Sequence, residues 1–171
     1  MKAGNGRLKG NGFERVVAGL IVSTFEQYGI TKLDCYRTPG SGGHRFASKV
    51  DPGDLVISRK LRKYFNFSVE CKFYKSLDWH RLMSTDKNKG HFSEWWGQCV
   101  QSAEAAKGKP TPLLIFKKNA GQIYCMYPVV MEEHIASKIP FPNIHTKVNG
   151  CGVRVVLLAK FLATKLGGAS V

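Results

Sequence analysis

An α/β fold with a mixed central sheet of about five strands flanked by helices is predicted by three features of the chain. Phe13, Val16, Val17, Leu20, Ile21, Phe25 and Tyr28 recur at i, i+3, i+4, i+7 spacing, which marks one buried helical face. Short apolar runs at 55–57 and 65–72, separated by the basic break Arg59, Lys60, Arg62 and Lys63, read as neighbouring strands. Pro112 to Lys117 and Gln122 to Met126, joined by Lys118-Asn119-Ala120-Gly121, read as a hairpin. The resulting order is helix, three strands, helix, two strands. With 171 residues and no repeat, the chain is expected to form one domain, with a core over about 7–127 and a C-terminal extension over about 128–171.

Residues 1 to 12, rich in Gly, Asn and Lys, read as a mobile basic arm, with Asn11 capping the first helix and Gly29 ending it. Lys32 to Arg37 reads as a short strand with Leu33, Cys35 and Arg37 on one side. A Gly-rich loop, Thr38 to Arg45, follows, and Asp51-Pro52-Gly53-Asp54 is a turn into Leu55-Val56-Ile57. Phe73 to Phe92 reads as a long basic loop, and Ser93 as the cap of a second helix reaching about Lys107, with Trp96, Cys99, Val100 and Ala103 buried. Beyond the hairpin, a short helix is expected near Val130 to Lys138. A strand near Val153 to Val156 then leads into an amphipathic helix carrying Leu157, Leu158, Phe161 and Leu162, a stripe that serves either the core or a subunit contact.

Lysine and arginine number 26 against 12 acidic residues, a formal net charge of +14. So large an excess on a small protein costs self-repulsion and points to a polyanionic partner, nucleic acid first. The basic residues are spread through loops and are not gathered on an amphipathic helix, and no apolar run reaches the roughly 18 residues of a membrane span, so no membrane partner is expected. The five cysteines form no Cys-x-x-Cys pair and the histidines no metalloprotease motif, which argues against metal held through sulfur. An odd cysteine count in a chain without a signal peptide predicts buried, reduced thiols and a cytoplasmic location, the host cytoplasm if the source is viral.

The chemistry concentrates between Asp54 and Lys72. Glu70 and Lys72 stand two residues apart, on one face of a strand, and Asp54 sits at the mouth of the strand before it. Crowded carboxylates call for a cation between them, and hard oxygen donors suit Mg²⁺, with Mn²⁺ as a substitute. A lysine beside such a metal can orient or deprotonate a water, or stabilise charge on a phosphate under attack. Of the aspartates at 51 and 54, Asp54 is favoured because it abuts the strand. Glu14, on the first helix, is either a surface residue favouring the positive helix end or a third carboxylate pointing to the sheet edge.

The loop bracketed by Arg37, His44, Arg45 and Lys49 can bring backbone N–H groups and a hydroxyl to phosphate oxygens, although it lacks the pattern of a nucleotide-binding P-loop. Tyr74, Lys75, Trp79, His80, Arg81, Lys87, Lys89 and His91 interleave rings and cations as a nucleic-acid surface would, or form an ordinary solvated loop. Glu94, Gln98 and Gln101 share a helix face on which Gln98 is a possible accessory residue.

In order, Lys9-Gly10-x-x-Phe13-Glu14-Arg15, Arg37-x-x-Gly40-Ser41-Gly42, Asp54-Leu55-Val56-Ile57 and Val69-Glu70-Cys71-Lys72 resemble the PD-(D/E)xK nuclease superfamily. Within it they are most similar to the archaeal-type Holliday junction resolvases also carried by some phages, over roughly residues 7 to 127. The resemblance implies a restriction-endonuclease-like fold and Mg²⁺ held by Glu14, Asp54 and Glu70, with Lys72 as catalytic lysine. It further implies that Ser41, Arg15 and Arg37 handle the DNA backbone, and that a homodimer cuts branched DNA. The rival expectations are a nuclease of the same fold acting on nicks, flaps or duplex, and a non-enzymatic basic DNA-binding module.

Overall fold

The computed structural model describes residues 4–39, 52–85, 89–131 and 144–166. Ser41, Arg45 and Asp51, with most of the Gly-rich loop and most of the helix expected near Val130 to Lys138, lie outside them.

The first helix, α1, runs Gly4–Phe25, continues as a 3-10 turn over Glu26–Tyr28 and stops at Gly29, whose φ of 72° takes the left-handed conformation. Asn11 therefore does not cap it, and the expected mobile arm is helical from Gly4 onward. Extending an existing helix costs far less than nucleating one, so the ladder tolerates glycines at roughly 1 kcal/mol each. Phe13, Val17, Ile21 and Phe25, four residues apart, are buried, while Val16 and Leu20 face outward.

Strands β1 (Cys35–Arg37) and β2 (Leu55–Ile57) pair antiparallel as a sheet of their own, with Arg37 opposite Leu55. Leu33 lies outside β1 and is 85% exposed, because Thr31 and Asp34 close a hydrogen-bonded turn there: the Asp34 carboxylate accepts the Thr31 N–H. The main sheet contains β3 (Phe67–Tyr74), β4 (Thr111–Lys118), β5 (Ile123–Pro128), β6 (Ile144–Val148) and β7 (Cys151–Leu157) in the order β3-β4-β5-β7-β6. β3 runs parallel to β4 and the other pairs are antiparallel, so the mixed five-stranded sheet stands as expected.

Its membership differs from the expectation. β1 and β2 are not in it, and β6 and β7 take their places. Three-residue strands leave most of the outer edge of β3 unpaired, and the Asp54 N–H to Val69 carbonyl bond is a backbone link across that gap. The β6–β7 hairpin turns at Asn149-Gly150, where φ is 52° and 80°. Positive φ at both central residues is the mirror-image turn that suits the strand twist, and Asn-Gly is its strongest sequence mark, a signal present in the chain and not used in predicting the strands.

Phe73 to Phe92 is not one long loop. β3 continues to Tyr74, and Asp78 caps a short helix, α2 (Trp79–Met83), by accepting the Arg81 N–H at 3.0 Å. α3 (His91–Ala105) starts two residues before Ser93, at Gly90 with φ of 60°; the Ser93 hydroxyl instead accepts the Lys89 N–H. α4 (Leu158–Leu166) follows β7 directly.

Two apolar layers hold the sheet. Alternation along β3 sends Phe67, Val69 and Cys71 toward α1 and α4, where they meet Phe25, Leu113, Ile115 and Phe161. On the other face Leu114, Phe116 and Met126 pack under Phe92, Trp95, Trp96 and Cys99 of α3. The stripe expected in the last helix thus belongs to the core: Leu158, Phe161 and Leu162 are buried. Four cysteines are buried and Cys151 is half-buried, all of them free. No helix among the described residues is long and apolar enough to cross a membrane.

Candidate active site

The site lies on the free edge of β3, between α1 on one side of the sheet and α3 on the other. Strand alternation points Glu70 and Lys72 to the α3 side, where the Lys72 ammonium donates to Glu70 Oε1 at 2.8 Å. Asp54 approaches the edge itself. Its N–H donates to the Val69 carbonyl at 2.9 Å, and its Oδ2 accepts the Cys71 N–H at 2.7 Å. From the opposite side Thr38 donates its N–H to the Asp54 carbonyl and its hydroxyl to the Gly53 carbonyl, at 2.9 and 2.8 Å. Four hydrogen bonds thus pin the two residues that carry this carboxylate. Thr38 is 2% exposed, and its part was not read from the sequence, because nothing in a lone threonine after a strand marks its partner.

Gly53 is required by close approach. A Cβ built there would stand 2.7 Å from the Val69 carbonyl oxygen and 3.2 Å from Ser68 Oγ. The glycine between Pro52 and Asp54 is what lets the turn lie against β3. Gly53→Ala is expected to cost about 1–3 kcal/mol of stability through this overlap, and to lower cleavage more than tenfold by pushing Asp54 off the edge. Thermal unfolding and initial rates measured on one preparation check it; a variant as active as the parent would show that Asp54 needs no such seat.

Glu14 is buried at 8% exposure and reaches β1, where Arg37 Nε donates to its Oε2 at 2.5 Å. The surface alternative for Glu14 is therefore set aside: burial of a carboxylate requires a partner, and α1 aims it at the strand beside Asp54. The Asp54 carboxyl is pushed up to about 7, first by burial and then by the negative charge of Glu70 and, more weakly, of Glu14, against the opposing Cys71 N–H and Lys72 ammonium. The buried Cys71 thiol is raised in the same way, by burial and then by Asp54, Glu14 and Glu70. Three acids from α1, the turn before β2, and β3 thus share one electrostatic environment. Burial alone would lower the Lys72 pKa, but the charge and hydrogen bond of Glu70, with Asp54 behind them, raise it. Lys72 is an ammonium at neutral pH, which suits orienting and charge-stabilising work better than proton abstraction.

Among the described residues no three His, Cys, Asp or Glu side chains stand as a ready-made ligand cluster; Glu14 holds Arg37 and Glu70 holds Lys72. The donor chemistry nevertheless fits a hard divalent cation. Every candidate donor is oxygen, and the crowding that holds a proton on Asp54 near neutrality is relieved by positive charge. Alternation adds a donor that the sequence could not show. Cys71 turns its N–H to Asp54, so its carbonyl faces the same edge, next to Glu70.

Of the remaining predicted residues, Ser41, Arg45 and Lys87 lie outside the described ones. Arg15 and Arg37 line a cleft of about 440 Å³ between α1 and β1, together with Lys32 and Tyr36. Lys75 is exposed just past β3, and Gln98 is exposed on α3 with no hydrogen bond to the acids among the described residues. Trp79, half-buried, packs on the core against Phe92, Phe116 and Tyr124, and Lys89 is 3% exposed with its ammonium on the Ser84 carbonyl.

Among protein families, the one described as phage putative PDDEXK endonuclease matches residues 5–166, nearly the whole chain. Comparison with the curated proteins and with the solved structures gives no match. Asp54, Glu70 and Lys72 at the β3 edge are residues of the types that the family's name carries, and its span takes in Glu14 and the β6–β7 hairpin as well. On that span and that edge, the chain belongs to the PDDEXK endonuclease family of phages and is a nuclease.

Proposed function

We propose that the protein is a Mg²⁺-dependent DNA endonuclease that resolves four-way junctions as a homodimer. The observation that carries the metal-dependent reading is Asp54, fastened to the β3 edge and held near neutrality in its titration by burial and by the charges of Glu70 and Glu14. Glu14, Asp54 and Glu70, with the Cys71 carbonyl, would hold the cation, and Mn²⁺ would substitute. When bound, such an ion supplies an activated water and neutralises charge on the phosphate. The chain's own part is to fix Asp54 through Thr38, Val69 and Cys71, and to keep a protonated Lys72 beside the phosphate oxygens. Arg15, Arg37, Ser41, Arg45 and Lys75 are assigned to the DNA backbone, in keeping with the net charge of +14. Branched DNA is favoured by the resemblance of the four motifs to junction resolvases, and a two-fold dimer suits a two-fold substrate.

A nuclease of the same family cutting nicks, flaps or plain duplex would use the same groups, so the test compares substrates. Purified protein is given labelled four-way junction, nicked, flapped and linear duplex, each with Mg²⁺, Mn²⁺ or chelator. Metal-dependent, symmetric cleavage of the junction, at least about tenfold faster than its component duplexes, is the expected result. Equal rates on duplex would discard junction selectivity, and cleavage indifferent to chelator would discard the metal. Sedimentation of the free protein at the mass of one chain, unchanged with junction bound, would discard the dimer.

A further inference from the structure

The row that carries Glu70 and Lys72 continues one step further. Tyr74 is the next residue on that face of β3, about 7 Å beyond Lys72 at strand rise. It is 38% exposed, and its ring meets the exposed His91 imidazole at 4.7 Å between centroids. Behind both stands Trp95, buried in the α3 layer: edge-on to Tyr74 at 5.0 Å and stacked on His91 at 5.6 Å with 11° between planes. Neither Tyr74 nor His91 belongs to the buried cluster that Trp95 anchors.

Charges of both signs surround the pair; the exposed Glu94 carboxylate stands 3.9 Å from His91 Nδ1. The Arg81 side chain lies against Gly90 at the start of α3, so closely that a Cβ on Gly90 would stand 3.2 Å from Arg81 Cδ. Lys75 is exposed next to Tyr74 in the chain. Two half-open rings backed by a fixed indole, with Arg81 and Lys75 near and in line with the Glu70–Lys72 row, have the makings of a nucleobase platform.

We propose that Tyr74 and His91, two rings tilted by 51°, form a stacking platform for one unpaired nucleobase of the DNA, one ring against its face and the other at its edge, next to the nucleotide whose phosphate lies at Glu70 and Lys72. This rests on the nuclease reading above and deepens it. A paired base shows its faces only to its own stack, so the platform engages DNA where a base is free: at a branch, a fray or a single-stranded stretch. Tyr74 and His91 are here selectivity residues, with Trp95 positioning them. Stacking on such a surface is worth enough per base to change affinity by about tenfold or more.

The test uses the full chain in metal-free buffer with two oligonucleotide probes carrying 2-aminopurine, one unpaired at a branch and one paired within duplex. Binding is expected to quench the unpaired probe and to leave the paired one bright. Tyr74→Phe should keep the quench. Tyr74→Leu, which retains apolar bulk without a ring, and His91→Ala should each lose most of it, and with it about tenfold of the preference for unpaired over duplex DNA. Quenching and preference unchanged in Tyr74→Leu and His91→Ala would overturn the platform, as would a quench lost equally in Tyr74→Phe. Cleavage measured separately keeps the two readings apart. A parent protein that cuts DNA while its quench ignores Tyr74 refutes the platform alone. A quench that depends on Tyr74 in a protein that cuts nothing upholds the platform and refutes the nuclease assignment of the site.

Discussion

Asp54→Asn is expected to abolish cleavage, by about three orders of magnitude or more, while DNA binding is kept or strengthened. The amide keeps an oxygen for the Cys71 N–H, so the turn stays seated on β3. What it loses is a negative oxygen donor for a divalent cation and a charge that repels phosphate. The same substitution has a signature independent of activity. In the folded protein the Asp54 carboxyl titrates near 7, because burial and the adjacent Glu70 and Glu14 oppose its charge; in the unfolded chain it titrates at the ordinary 3.8.

The folded state therefore binds this proton more tightly. Its contribution to stability is fully present below about pH 4 and is lost as pH rises through about 7. In metal-free buffer the parent should lose stability relative to Asp54→Asn between pH 5 and 8, by an amount on the order of a few kcal/mol. Added Mg²⁺ at pH 8 should restore the parent and do little for the variant. Denaturant midpoints across that range check this; parallel pH profiles for the two proteins, or equal stabilisation by Mg²⁺, would remove Asp54 from the metal site.

Lys72→Met is expected to lower turnover by about 10²–10³-fold, the usual loss when one preorganised donor to developing charge is removed. The methionine keeps the stem's bulk but leaves Glu70 without its 2.8 Å ion-pair partner. Because Lys72 acts on charge that grows during the reaction, the loss should fall on kcat and spare KM. A role as general base predicts instead a rate limb governed by a lowered lysine pKa, whereas the neighbouring acids raise it. Single-turnover rates from pH 6 to 9 separate the two, and turnover within a few-fold of the parent would release Lys72 from catalysis.

The outlines of both fold and site were legible locally. The four-residue repeat from Phe13 to Phe25 specifies a helix whatever it packs on, and the spacing of Glu70 and Lys72 places them on one face of any strand. The failures share a cause. Asn11 and Ser93 are good caps by composition, yet helix starts are settled by where the ladder can extend and by the Gly90 backbone. The interleaved rings of the segment after Lys72 looked alike in sequence; packing sent Trp79 inward and left Tyr74 and His91 at the surface. Asn149-Gly150 was a readable turn, and β6 alternates in the fold, but its run of His145, Thr146 and Lys147 carries little apolar signal to mark it as a strand.

By itself the sequence determined the α/β class, the excess of positive charge, and the pairing of Glu70 with Lys72, because each depends on residue type and short-range spacing alone. Only the tertiary structure decided that β6 and β7, not β1 and β2, complete the sheet, since strand partners distant in sequence are chosen by the apolar faces they bury together. It alone decided which Glu14 reading holds and how Asp54 is seated. A carboxylate's depth, its hydrogen bonds and the field of its neighbours exist only once α1, Thr38 and the edge of β3 have met.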